Sequence, residues 1–131
     1  MGPVYAAGME GLRAYWEILR PFNGAMAAAA AIIGLAIAGG LAPCATALIF
    51  LAVFLVTGAG NAVNDYCDRQ IDAVNRPGRP IPSGRISPRA ALYYSMALFA
   101  AGSLLAGLVN SVCLLLAVFN SALLILYARS L

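Results

Sequence analysis

The sequence has no histidine and no lysine, and charge of either sign is scarce: eight arginines and five acidic residues make up 10% of the chain. A soluble domain carries about 25% charged residues. That shortage, with 63% hydrophobic residues, excludes an ordinary water-soluble domain and points to an integral membrane protein. Without histidine there is no Ser-His-Asp triad and no imidazole-based zinc site. The three cysteines, Cys44, Cys67 and Cys113, have no CxxC spacing. They lie in or beside apolar runs and read as small apolar side chains without a disulfide. A net charge of +3 is too small and too localised to make nucleic acid a partner.

The charge that is present is concentrated. No Asp, Glu, Lys or Arg occurs from Pro21 to Asn64, or from Ala90 to Ala128. Four apolar runs long enough to span follow from this: about Phe22 to Gly39, Pro43 to Val63, Ala90 to Val109 and Ser111 to Ala128. A hydrocarbon core of about 30 Å takes about 20 helical residues. Apolar residues run continuously instead of alternating, so strands are not expected. The predicted fold class is all-α, a polytopic transmembrane helical bundle forming one membrane domain over residues 1–131.

Residues 9–20, MEGLRAYWEILR, mix two Glu and two Arg with apolar positions and do not resemble a signal peptide. Leu12, Tyr15, Trp16 and Leu19 fall at helical spacing. This predicts an interfacial amphipathic helix within residues 1–20, with Glu17 and Arg20 able to pair along it. All eight arginines map to one side of the four runs, and the opposite connections, GGLAP and VNS, carry no charge. The positive-inside rule makes the arginine side cytoplasmic and places both termini there, in a multi-pass cell-membrane protein. Ala30, Gly34 and Ala38, and Gly102 with Ala106, form small-xxx-small faces suited to close helix packing; shaping a lipid-accessible cavity is a compatible alternative.

Between the second and third runs lies NAVNDYCDRQIDAVNRPGRPIPSGR, from Asn61 to Arg85. On a helix turning about 100° per residue, Asp65, Asp68 and Asp72 fall within about 40° of Asn61, and Asn64 about 60° to its other side. Three carboxylates on one face beside hydrocarbon need compensation. One reading is a structural salt-bridge network with the arginines that follow. The other is a divalent cation: hard oxygen ligands suit Mg²⁺, which is usually held by one or two carboxylates plus substrate phosphates. The arginines and prolines after Asp72 favour the second. Residues 64–87 thus read as the aspartate-rich helix end followed by a cytoplasmic loop, in which Pro77, Pro80 and Pro82, with Gly78 and Gly84, stop the helix and form a stiff turn. Guanidinium groups on such a turn suit bidentate phosphate binding.

These residues carry a resemblance. Asn64-Asp65-x-x-Asp68-x-x-x-Asp72, followed by Asn75-Arg76-Pro77-x-Arg79-Pro80-Ile81-Pro82-Ser83-Gly84, resembles the first aspartate-rich motif of the UbiA-type intramembrane prenyltransferases. The wording is most similar to their archaeal branch, the digeranylgeranylglyceryl phosphate synthases. Arg20-Pro21-Phe22-Asn23 also resembles the family. The resemblance implies a nine-helix fold with two aspartate-rich motifs that bind a prenyl diphosphate through Mg²⁺. It implies Asn64, Asp65, Asp68 and Asp72 as metal ligands, and Asn61, Arg76 and Arg79 on the diphosphate. Asn23, Tyr127 and Ser130 are implied to line the substrate space. The expected reaction is transfer of a geranylgeranyl group to geranylgeranylglyceryl phosphate, a lipid-phosphate acceptor, in ether membrane-lipid synthesis.

An aromatic or chlorin acceptor is the alternative within the family. A non-enzymatic four-helix membrane protein with a structural charge cluster is the alternative outside it, as is a divalent-cation transporter. A transporter is disfavoured because the charges sit at one interface and not at the midplane. The chain supplies about four of nine helices and only the first motif. A missing C-terminal half, or a partner, is therefore expected to supply the second motif, and residues 1–131 alone are expected to be inactive.

Overall fold

The structure is a computed structural model that describes residues 3–40 and 42–130, with side chains from Met9 onward. Six helices follow one another: α1 (Pro3–Leu19), α2 (Pro21–Ile37), α3 (Pro43–Cys67), α4 (Arg69–Asn75), α5 (Pro88–Val109) and α6 (Ser111–Ser130). No strand occurs among the described residues. Three helices, α3, α5 and α6, are long and apolar enough to cross a membrane, and the bent pair α1–α2 makes a fourth candidate if it counts as one span.

The local chemistry explains the boundaries. Pro21, Pro43 and Pro88 each stand in a first helical turn, where the missing N–H costs nothing. The Ser87 hydroxyl accepts from the Ala90 N–H and caps α5. At the opposite end of the bundle, Gly39 takes a positive φ of 82° and closes α2. The Asn110 carboxamide oxygen accepts from the Cys113 N–H at 2.8 Å, which caps the start of α6.

Helix α3 is the centre of the bundle; α5, α2, α6 and α1 all pack on it. Small residues allow the close approaches. A Cβ on Gly102 would lie 2.7 Å from Val56 Cγ2 and 3.1 Å from the Ala52 carbonyl oxygen, so α5 rests nearly on the α3 backbone. On α2 the buried small residues are Gly24 and Ala28, with Gly24 against Phe54. The Ala30, Gly34 and Ala38 stripe expected to pack is exposed, and Gly34 has nothing near it. The reason is rotational: α2 turns residues 24 and 28 toward α3, and the stripe begins past that face.

Helix α1 divides its apolar stripe. Ala14, Ile18 and Leu19 are buried, whereas Leu12 and Trp16 are exposed. Ala14 and Ile18 join a cluster with Ala62 of α3, Ala91 of α5, and two isoleucines of the connecting turn, Ile81 and Ile86. The ring of Tyr15 meets that of Tyr94 edge-on at 4.9 Å. Ile81 and Ile86 therefore anchor the turn over residues 76–87 in the core.

Candidate functional site

The site forms where the end of α3 meets the α1–α2 break. These helices are bent by 40° at Arg20, which holds a left-handed conformation with φ 51° and ψ 66°. That conformation is costly for a residue with a Cβ, and α3 holds it in place. Leu19 fits into the notch left by Gly58, where an added Cβ would lie 2.1 Å from Leu19 Cδ1. Asn61 Nδ2 donates to the Leu19 carbonyl at 3.1 Å, an oxygen that the end of α1 leaves without a helical partner. Arg20 Nη2 donates to Asp65 Oδ1 at 2.6 Å. Gly58, Asn61 and Asp65 are spaced to lie on one face of α3, and each receives a different part of the break.

Arg20 was expected to pair with Glu17 along one helix, and it does not. The left-handed turn sends its side chain to α3 instead. Glu17 Oε2 accepts from Arg85 Nη1 at 2.7 Å. Arg85 Nη2 also donates to the Gly78 carbonyl at 2.8 Å, which ties the turn to α1. The hydrogen bond to Glu17 raises the already high pKa of Arg85.

The acidic column is not one continuous helix. Asp68 stands between α3 and α4 with φ −90° and ψ 7°. Its N–H still donates to the Asn64 carbonyl, and its own carbonyl accepts from the Asp72 N–H. Asp65 and Asp72 are buried, 4% and 6% exposed, and both turn to Arg79. Arg79 Nη1 donates to Asp65 Oδ1 at 3.3 Å and to Asp72 Oδ2 at 2.9 Å. Two carboxylates thus converge on one cationic nitrogen. Asp68 stands apart: its Oδ2 accepts from Asn64 Nδ2 at 3.3 Å, and it has no ion pair among the described residues.

Of the residues singled out from the sequence, the structure brings together Asn61, Asn64, Asp65, Asp68, Asp72 and Arg79. Arg76 and Asn23 are exposed. Tyr127 is 62% exposed on α6, and Ser130 Oγ donates only to the Tyr127 carbonyl. Among the described residues no three His, Cys, Asp or Glu side chains are drawn into a metal-holding group. The donor chemistry nevertheless suits a small hard cation: every donor is oxygen, and two carboxylates already face one positive centre.

On the other side of α3, a hollow of about 500 Å³ is lined by Tyr66, Arg69, Met96 and Arg129 among others. Arg69 stacks over the Tyr66 ring at 4.4 Å. A groove of about 420 Å³ runs between α3, α5 and α6, lined by Val53, Val56, Thr57, Ala106, Leu116 and Leu124 among others. Sequence reasoning missed the partnership of Arg20 with Asp65. The available signal was a lone arginine directly before a proline at the head of an uncharged run.

Comparison with known proteins identifies the family and the fold. The sequence model of the UbiA prenyltransferase family matches residues 25–131. A digeranylgeranylglyceryl phosphate synthase from Methanothrix thermoacetophila is 60% identical over 117 residues, covering 88% of this chain and 44% of that protein. One from Methanococcoides burtonii is 52% identical over 130 residues, covering 92% and 46%. A solved structure, reported for digeranylgeranylglyceryl phosphate synthase in membranes, superposes with a TM-score of 0.88 at 37% identity. That match covers 92% of this chain and 44% of the solved one. The chain therefore spans a little under half the length of the relatives it matches.

Proposed function

Because the chain belongs to the UbiA prenyltransferase family, we propose that it forms one wall of an intramembrane site that transfers a geranylgeranyl group from its diphosphate to geranylgeranylglyceryl phosphate. The observation that carries this reading is the convergence of Asp65 and Asp72 on one cationic centre, beside Asp68 and Asn64, at the end of an otherwise uncharged helix. The similar synthases support the choice of donor and acceptor.

In this reading Asp65, Asp68 and Asp72, with Asn64, hold Mg²⁺. When bound, the metal neutralises the diphosphate and stabilises it as a leaving group. Arg76 and Arg79 bind the diphosphate oxygens. Asn61 holds the α1–α2 break in place through one amide N–H and has its second N–H for the diphosphate. The allylic C–O bond breaks and its electron pair leaves on the diphosphate. The acceptor hydroxyl then forms the new C–O bond and passes its proton to the released diphosphate, giving an ether. The prenyl tail lies among the apolar helices, and Asn23, Tyr127 and Ser130 belong to the rim that the substrates pass. The arginine end and both termini of the chain face the cytoplasm.

A diphosphate carries about three negative charges, and a second oxygen-ligand wall is needed to hold further Mg²⁺ on its other side and so complete the site for transfer. Outside the cluster this chain has only Glu10 and Glu17, so residues beyond 1–131 or another chain supply that wall. Residues 1–131 by themselves turn over nothing.

The decisive variant is Asp68→Asn, because Asp68 has no ion pair to lose. We expect it to abolish Mg²⁺-dependent binding of geranylgeranyl diphosphate to the chain in nanodiscs, with helix content unchanged. Unaltered Mg²⁺-dependent binding would make the cluster a purely structural salt-bridge network and overturn the proposal.

A further inference from the structure

Arg79 occupies the position that a bridging cation between Asp65 and Asp72 would need. We infer that Arg79 is a resident counter-cation, which neutralises these two carboxylates until a diphosphate draws its guanidinium away and so opens them to the metal. This rests on the reading of the cluster as a metal site.

The geometry makes the two states exclusive on the oxygens that Arg79 now holds. Arg79 Nη1 lies 3.3 Å from Asp65 Oδ1 and 2.9 Å from Asp72 Oδ2. A Mg²⁺ ion bound to the same oxygens sits at about 2.1 Å from each. A divalent ion and a guanidinium on the same pair of oxygens would stand within van der Waals reach of each other and repel strongly in a buried site. Arg79 must therefore give up Asp65 Oδ1 and Asp72 Oδ2 when a metal takes those two oxygens.

Arg79 is also the arginine built to move. It stands on the turn, outside any helix, between the Arg76 and Pro80 corners. Its Nε and Nη2 donate to no protein atom among the described residues, and no buried side-chain nitrogen there lacks a partner. Those donors remain open to an anion, and the exposed Arg76 stands close by in sequence. Arg20 differs. It is fixed by the left-handed α1–α2 break and uses Asp65 alone, at 2.6 Å. Arg20 stays as the permanent partner of Asp65, and Arg79 is exchanged.

The charge count gives the consequence. Asp65 and Asp72 are balanced by Arg20 and Arg79 at rest, and Asp68 beside them has only the neutral Asn64 amide as a partner. Metal alone must displace Arg79 into a place with no anion to receive it. With diphosphate present, the displaced guanidinium gains a bidentate partner. Metal and diphosphate therefore strengthen each other's binding, and the coupling passes through one side chain.

The test uses Mn²⁺, a hard cation with a spectroscopic signal, titrated by electron paramagnetic resonance into the chain in lipid nanodiscs. The titration is done with and without inorganic diphosphate. In the wild-type chain diphosphate should tighten Mn²⁺ binding. Arg79→Gln should tighten binding of Mn²⁺ alone by about tenfold, equivalent to about 1.4 kcal/mol, and should remove most of the tightening by diphosphate. Arg79→Lys, which keeps the charge, should leave Mn²⁺ alone bound as weakly as in wild type. Equal or weaker Mn²⁺ binding by Arg79→Gln with helix content intact would overturn the exchange and leave the metal site standing. Should Arg79→Gln lose its helix content, the wild-type chain decides: no tightening by diphosphate there overturns the exchange as well. No Mn²⁺ binding by wild type under either condition would overturn the metal reading, and the exchange with it.

Discussion

Asp65 receives two guanidinium groups on a single oxygen while almost wholly removed from solvent. A buried carboxylate is tolerated only when it is paired. The pairing also works in the opposite direction: Arg20 keeps its left-handed backbone because Asp65 holds its side chain. Asp68 has neither duty. The two aspartates should separate cleanly under the same substitution. Asp65→Asn is expected to cost about 1–3 kcal/mol, less than for a fully buried pair because the Arg20 and Arg79 side chains retain solvent contact. Asp68→Asn should be neutral within about 0.5 kcal/mol, as for a surface change away from packed features. Thermal unfolding in detergent, followed by helix content, measures both. Equal loss in the two variants would mean that the Arg20–Asp65 contact does not support the break.

At the scale of elements, the turn between α4 and α5 is what places Arg79. It is held from two sides. Arg85 reaches Glu17 of α1 at the surface, an exposed pair worth about 0–1 kcal/mol. Ile81 and Ile86 reach inward to Ala14, Ile18, Ala62 and Ala91. Burial outweighs the surface pair, so the isoleucines are the main anchor. Ile86→Ala should destabilise the chain by about 2–5 kcal/mol and raise the rate of proteolysis near Gly84. Glu17→Gln should change neither by much. The reverse order of effects would show that the turn is held electrostatically.

The sequence disclosed the helices because charge-free runs between prolines and glycines leave few alternatives. It did not disclose these two anchors. Ile81 and Ile86 sit among Pro, Ser, Gly and Arg, where single apolar residues carry no period. The Arg20–Asp65 contact spans 45 positions, and no local pattern encodes it. Asp68 was readable as a ligand type, but the break that sets it apart from Asp65 and Asp72 lies in backbone angles.

For the whole molecule, the arginines and the length of α3 set the expectation for how the bundle lies in a bilayer. α3 has 25 residues, about 38 Å at about 1.5 Å per residue, against a hydrocarbon thickness of about 30 Å. Counted from Pro43, Asp65 lies about 33 Å along the helix. If Pro43 stands at one interface, the carboxylates emerge at the other, where water and phosphate can reach them and where hydrocarbon does not impose its full cost on a charge. The α2–α3 and α5–α6 connections hold no arginine, and all eight arginines lie toward the carboxylate end. By the positive-inside rule that asymmetry is expected to orient the carboxylate end toward the cytoplasm, the side from which the proposed diphosphate would enter. Single cysteines introduced at Gly40 and Ser83, in a background with Cys44, Cys67 and Cys113 replaced by alanine, report this directly. An impermeant maleimide added outside intact cells should label position 40 and leave position 83 untouched until the membrane is opened. Labelling of both positions from the same face would overturn the four-span arrangement. Labelling of position 83 alone from outside would keep the spans, invert the molecule, and place the carboxylates on the side away from the diphosphate.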